Sequence, residues 1–84
     1  VMIKVLYFAR LREQLETASE EMDAAGLENV NGLVTLLKDR GGTWDDVFGG
    51  AQPVLMAVNQ EMVDGNAAIN DGDEVGFFPP VTGG

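Results

Sequence analysis

The stretch Asn29-Val30-Asn31-Gly32-Leu33-Val34-Thr35-Leu36-Leu37-Lys38-Asp39-Arg40-Gly41-Gly42 carries the plainest structural signal in the chain. Val30, Leu33, Val34 and Leu37 stand at i, i+3, i+4 and i+7, which gathers them into one apolar stripe along a helix. Asn29 is a good N-cap ahead of that stripe. Lys38 and Arg40 fall in the last turn, where cations complement the helix dipole, and Gly41-Gly42 supplies a left-handed stop. The spacing predicts a helix that begins after Asn29 and ends near Arg40. Such a helix must bury its stripe on something, and the flanking segments supply strands.

Met2 to Phe8 is an apolar run broken only by Lys4, rich in the β-branched and aromatic residues that suit a strand. Alternation puts Ile3, Val5 and Tyr7 on one face and Lys4, Leu6 and Phe8 on the other. Phe8, Leu11 and Leu15 then recur at helical spacing, predicting a short helix from Ala9 to about Leu15. Thr17 to Met22 is acidic and weakly patterned and is read as an edge strand, since charge is one way an edge avoids unwanted pairing. Beyond the main helix, Thr43 to Gly50 holds Trp44, Val47 and Phe48 in a turn-like segment read as a satellite of the core. Val54 to Val58 reads as a central strand, and Glu61 to Val63 as its partner across the Asn59-Gln60 turn. Asn70-Asp71-Gly72-Asp73 is a strong turn signal leading into a strand from Glu74 to Phe78. This order describes an α+β domain over residues 1–78, with one helix packed on a mixed sheet. If Val75 and Phe77 join Ile3, Val5 and Tyr7 beneath the helix, then Leu6, Phe8 and Phe78 point to the opposite, uncovered face, which suggests a docking surface.

Composition narrows the chemistry. The 84 residues contain no Cys and no His. A disulfide framework, a thiolate nucleophile and the commonest general base and metal ligand are therefore all missing. Fourteen acidic residues against five basic ones give a net charge of −9, a field that repels phosphate backbones and anionic lipid. Nucleic acid and membrane are thus poor partners, while the acidity serves solubility as readily as steering toward a basic surface. No apolar run approaches the roughly 18 residues that span a bilayer, and Lys4 interrupts the first apolar stretch before a signal-type core forms. The expectation is a cytoplasmic protein. Asp71, Asp73 and Glu74 match only the opening of a calcium loop, without its later bidentate Glu, so a solvated turn is the stronger reading.

The chain ends Phe77-Phe78-Pro79-Pro80-Val81-Thr82-Gly83-Gly84. Pro79 and Pro80 donate no backbone hydrogen bond and favour extended chain, so residues 79–84 are expected to leave the domain as a tail. Six residues reach roughly 20 Å when extended. Without Cβ atoms, Gly83 and Gly84 can thread a narrow channel and let another protein's catalytic groups approach the backbone. A terminal Gly-Gly alone would read as a frayed end; the Phe-Phe-Pro-Pro-Val-Thr approach argues for more.

Together with Met2-Ile3-Lys4-Val5-Leu6-Tyr7-Phe8-Ala9, Val58-Asn59-Gln60 and Asp71-Gly72-Asp73-Glu74-Val75, this ending resembles the small subunit of molybdopterin synthase over the whole chain. The resemblance implies a ubiquitin-like β-grasp fold and a sulfur carrier that is no enzyme on its own and binds no cofactor. It implies that a ubiquitin-activator-like enzyme uses ATP to adenylate Gly84, and that sulfur replaces the adenylate to give a thiocarboxylate. The tail then enters the large synthase subunit, in an expected heterotetramer, and donates sulfur to cyclic pyranopterin monophosphate to build molybdopterin. In this reading Gly84 carries the sulfur and Gly83 gives access, while Phe8, Met62, Phe78, Pro79, Pro80, Val81 and Thr82 meet the partner. The rivals are sulfur delivery to thiamin or tRNA, a ubiquitin-like modifier joined to lysines through Gly84, and a plain interaction domain with an inert tail.

Overall fold

The computed structural model describes residues 1–50 and 52–80. Their elements run β1 (Met2–Tyr7), α1 (Ala9–Leu15), β2 (Ser19–Asp23), α2 (Val30–Lys38), α3 (Thr43–Gly49), β3 (Leu55–Val58), β4 (Glu61–Val63) and β5 (Glu74–Phe78). The five strands form one sheet in the order β2-β1-β5-β3-β4. β1 pairs parallel with β5, and the remaining neighbours are antiparallel. The sheet is therefore mixed, with the weakly patterned acidic strand β2 at one edge.

Alternation along the two central strands decides which side is filled. Ile3, Val5 and Tyr7 of β1 and Val75 and Phe77 of β5 are all buried. They meet Val30, Leu33 and Leu37 of α2, Leu11 and Leu15 of α1 and Val47 of α3 in a single core. Burial of these side chains is the main stabilising term, on the order of 1.5–3 kcal/mol for each large apolar group. α2 starts as its cap requires: Asn29 is extended and its Oδ1 accepts the Gly32 N–H at 3.0 Å. Asn59 and Gln60 both take positive φ, 50° and 70°, the geometry of a two-residue hairpin turn whose twist matches that of the flanking strands.

Two expectations need correcting. Thr43–Gly49 is a helix rather than a turn-like segment; Trp44, Val47 and Phe48 stand at i, i+3 and i+4, and Asp45 and Asp46 in its first turn complement the dipole. Its aromatics nevertheless pack against the core as a satellite would. α2 ends at Lys38, with Gly41 at φ 77° just beyond, so Arg40 lies outside the last turn. Its guanidinium instead grips Glu20 through both nitrogens, at 2.7 and 2.9 Å, and lies 4.4 Å from the centre of the Trp44 ring. Glu20 in turn accepts the Tyr7 hydroxyl at 2.9 Å. Arg40 thereby ties the loop after α2 to the edge strand β2.

The end of the sheet away from Pro79 is fixed by short polar links. Asn59 Nδ2 donates to Asp73 Oδ1 at 3.0 Å, and the Asn70 N–H donates to the other Asp73 oxygen at 2.8 Å. Asn59 Oδ1 accepts the Glu74 N–H at 3.1 Å, and Asp71 Oδ1 accepts the Met2 N–H at 2.7 Å. These carboxylates are thus turn-forming acceptors, and among the described residues no cluster of three or more His, Cys, Asp or Glu side chains is placed to hold a metal. No described helix is long and apolar enough to cross a membrane.

The Arg40–Glu20–Tyr7 chain makes stability depend on pH at both extremes. Hydrogen bonds from Arg40, and secondarily from Tyr7, hold the Glu20 carboxyl below its ordinary value against the opposing effect of burial. A depressed folded pKa gives stability that is present above the ordinary glutamate value and is lost as pH falls through the folded one. Burial first, then the bond to Glu20, pushes the Tyr7 phenol well above its ordinary value. That contribution is intact below the ordinary tyrosine value and declines as pH rises beyond it. Glu20→Gln is expected to flatten the acid limb of a urea-denaturation pH profile. On the alkaline limb, phenolate absorbance from Tyr7, the one tyrosine in the chain, is expected to appear together with loss of the circular-dichroism signal rather than before it.

Candidate docking face and tail root

Residues directly opposite one another in a sheet share a face. Leu6 stands opposite Gly76, Gly76 opposite Ala57, and Ala57 opposite Met62. This row crosses four strands on the side away from α2. Leu55 stands opposite Phe78 on the same face, at the end of the sheet where Phe8 leaves β1. Phe8 and Phe78 stack with ring centres 4.6 Å apart and planes 4° from parallel. Phe8 is 38% and Met62 62% exposed, and Leu55 lies at the surface with them. Further down the same face the apolar row gives way to charge, with Lys4 opposite both Glu21 and Glu74.

The placement of Phe8 is local in origin. Its N–H continues the ladder by donating to Phe77 O at 3.1 Å, and its carbonyl accepts the Leu11 N–H at 3.1 Å to open α1. Ala9 then takes φ 52°, an uncommon value for a residue with a side chain, and the chain bends sharply into α1. Leu11 and Leu15 go into the core, whereas Phe8, before the bend, stays on the open face.

Pro79 and Pro80 follow β5 directly and are half-buried. Pro80 lines an open groove of about 330 Å³ with Arg10 and Leu11 of α1 and Asp46 and Val47 of α3. Arg10 Nη2 donates to Gln52 Oε1 at 3.0 Å at its margin. The end of β5 and the two prolines after it are therefore flanked by the Phe8–Phe78 pair on the sheet face and by this groove on the helical side. Of the residues expected to meet a partner, the structure brings Phe8, Met62, Phe78, Pro79 and Pro80 to one end or face of the sheet. Val81, Thr82, Gly83 and Gly84 lie outside the described residues, as does the expectation of a projecting tail that rests on them. Leu55 was missed: its place in an apolar run suggests core, and only the register with Phe78 reveals its face.

A mixed five-stranded sheet grasping one long helix, with β1 and β5 parallel at its centre, defines a ubiquitin-like β-grasp protein. The model of the ThiS family matches residues 5–84, and the chain belongs to that family of sulfur carriers. It is 42% identical over 83 residues to the molybdopterin synthase sulfur carrier subunit of Escherichia coli K12, covering 99% of this chain and 100% of that one. Among solved structures it is similar to a putative molybdopterin converting factor subunit 1 from Pyrococcus furiosus, with 32% identity, a TM-score of 0.75 and coverage of 96% and 99%. SAMP1 from Haloferax volcanii shares the fold at a TM-score of 0.78 and 24% identity, each chain covered in full.

The two aromatic layers should differ in energetic role. Phe77→Ala removes a fully buried ring and is expected to lower unfolding free energy by about 3–5 kcal/mol. Phe8→Ala removes a partly exposed ring whose chief contact is one stack, with an expected loss of about 1 kcal/mol. Equilibrium urea unfolding of both variants measures the difference.

Proposed function

We propose that this chain is the sulfur carrier of molybdopterin synthesis and works through its own C-terminal carboxylate on Gly84. A separate activating enzyme, resembling those of ubiquitin, attaches AMP from ATP to that carboxylate and releases pyrophosphate. A sulfur nucleophile then displaces AMP and leaves a thiocarboxylate. The charged tail enters the large synthase subunit, in a heterotetramer of two carriers and two large subunits, where its sulfur passes to cyclic pyranopterin monophosphate. The setting is the cytoplasm, where ATP for activation is at hand. The observation that carries this reading is that β5, the strand leading into the diglycine terminus, crosses the open apolar face: its half-buried Phe78, two residues before Pro80, stacks on the exposed Phe8. Docking and delivery are thereby joined in one strand.

The residues divide the work. Phe8, Phe78 and Met62 supply apolar contact area, and aromatic anchors of this kind dominate interface energies. Pro79 and Pro80 restrict the root of the tail, reducing the entropy lost when residues 79–84 enter a channel. Val81 and Thr82 span the channel, Gly83 gives room for the partner's catalytic groups, and Gly84 bears the sulfur. A carrier needs no general base of its own, which agrees with a chain lacking His and Cys. The likeness to SAMP1 concerns the fold and gives no weight of its own to a protein-modifier role.

Incubation with the activating enzyme, ATP and a sulfur donor is expected to raise the intact mass by the difference between one sulfur and one oxygen, localised to Gly84 by fragmentation. Deletion of Gly83-Gly84 should abolish that gain and stop molybdopterin formation. An unchanged mass, or a ladder of lysine-linked adducts on a denaturing gel, would overturn the assignment.

A further inference from the structure

The groove on the helical side of the sheet has an apolar floor in the buried Leu11 and Val47, and Arg10 and Asp46 are the two charged residues that line it, both exposed. At about 330 Å³ it has the size of a small ligand site. Of its two charges, Arg10 is the less committed. Its described partner is the neutral Gln52 Oε1 at 3.0 Å, and it belongs to neither ion pair found among the described residues, which join Val1 to Asp23 and Arg40 to Glu20. A guanidinium carries five N–H donors in a fork that matches a carboxylate, so Arg10 has donors to spare for one. Pro80 shares the wall of this groove and is the last residue described, with Val81-Thr82-Gly83-Gly84 still to follow. Four residues reach roughly 13–14 Å when extended, enough to cross a groove that Pro80 and Arg10 both line. They bring one apolar side chain, Val81, and one negative charge, the terminal carboxylate of Gly84. The floor suits the first and Arg10 the second.

We propose that the groove between α1 and α3 is a parking site for this chain's own C-terminus, with Val81 against the apolar floor and the Gly84 carboxylate on Arg10. Its role rests on the sulfur-carrier reading above: a parked terminus is withheld from the activating enzyme and from the large subunit's channel alike. The hold is weak by its chemistry. An exposed ion pair and one valine at an open groove roughly balance the chain entropy that ordering four residues removes, so about half the molecules are parked at any moment and a partner meets the other half. Asp46 opposes the arrangement by like charge while Arg10 favours it. The two lining charges therefore set the parked fraction in opposite directions, and removing either one moves it predictably.

The test is NMR of the full-length chain as wild type, Arg10→Ala and Asp46→Asn, followed by pyrophosphate release with the activating enzyme and ATP. Wild type is expected to show nuclear Overhauser contacts from the Val81 methyls to those of Val47 and Val54, weaker in Arg10→Ala and stronger in Asp46→Asn. The Gly84 carboxyl carbon should titrate about 0.3 pH unit lower in wild type than in Arg10→Ala, the shift that half occupancy of a site for the carboxylate form produces, and lower again in Asp46→Asn. At sub-saturating carrier, pyrophosphate release should rise about twofold in Arg10→Ala as the parked half is freed, and fall in Asp46→Asn. Absence of the Val81 contacts in wild type, equal carboxyl midpoints with and without Arg10, or rates in any other order overturns the proposal and leaves the carrier reading standing. That reading is tested apart, by the gain of one sulfur for one oxygen in the intact mass of the wild-type chain; without that gain the carrier reading falls and the withholding role falls with it.

Discussion

Strand β5 is the constraint on which the rest of the molecule depends. It lies between β1 and β3, so its backbone is paired on both edges and its register is fixed twice over. Period-two alternation then sends Val75 and Phe77 into the core and leaves Gly76 and Phe78 for the opposite face. A slip of one residue would exchange these sets, exposing Phe77 and driving Phe78 under the helices. It would also move the point at which the chain reaches Pro79. Core packing, the apolar open face and the point at which the chain reaches Pro79 are therefore one structural decision.

The two ends of the sheet hold that register by different means. At the far end, Asn59 binds both Asp73 and the Glu74 N–H, while Asp71 takes the Met2 N–H. Short polar links of this kind join the start of β1, the β3–β4 turn and the entry to β5. Each is exposed and modest in energy, near 1 kcal/mol for a typical hydrogen bond, but each is directional and tolerates no slip. At the tail end direction gives way to area: aromatic rings stacked on one face and core-facing rings on the other.

Much of this was legible from local pattern. The Met2–Phe8 alternation, the stripe of Val30, Leu33 and Leu37, the Asn59-Gln60 turn and the Glu74–Phe78 strand all lie within windows where periodicity and turn chemistry agree. Thr43–Gly49 was harder, because seven residues hold barely two turns and the flanking glycines read as loop. Arg40 was misplaced for a different reason. Its proximity to Lys38 suggests a helix-end cation, whereas its partner Glu20 stands twenty positions away and is found only once β2 pairs with β1. The stack of Phe8 on Phe78 is also invisible to local reading, since it depends on a cross-strand register and on the left-handed turn at Ala9. Within the candidate site, then, the reading of residues 81–84 rests on sequence alone, and the grouping of Phe8, Phe78, Leu55 and Met62 on one face required the fold.

The composition follows from the division of labour between this chain and its partners. A domain of this size has too little interior to build a preorganised, water-excluded catalytic site. Placing the reactive group on the main chain removes the need for one, because the partner's walls supply orientation and desolvation. The carrier must then satisfy two unlike requirements, a terminus slender enough to enter a channel and a body broad enough to hold that terminus there. Gly83 and Gly84 are the residues whose lack of side chains would meet the first. Of the groups that could meet the second, Phe8, Leu55 and Met62 are exposed on the face that β5 crosses, and the net charge of −9 carried by the chain disfavours association with copies of itself.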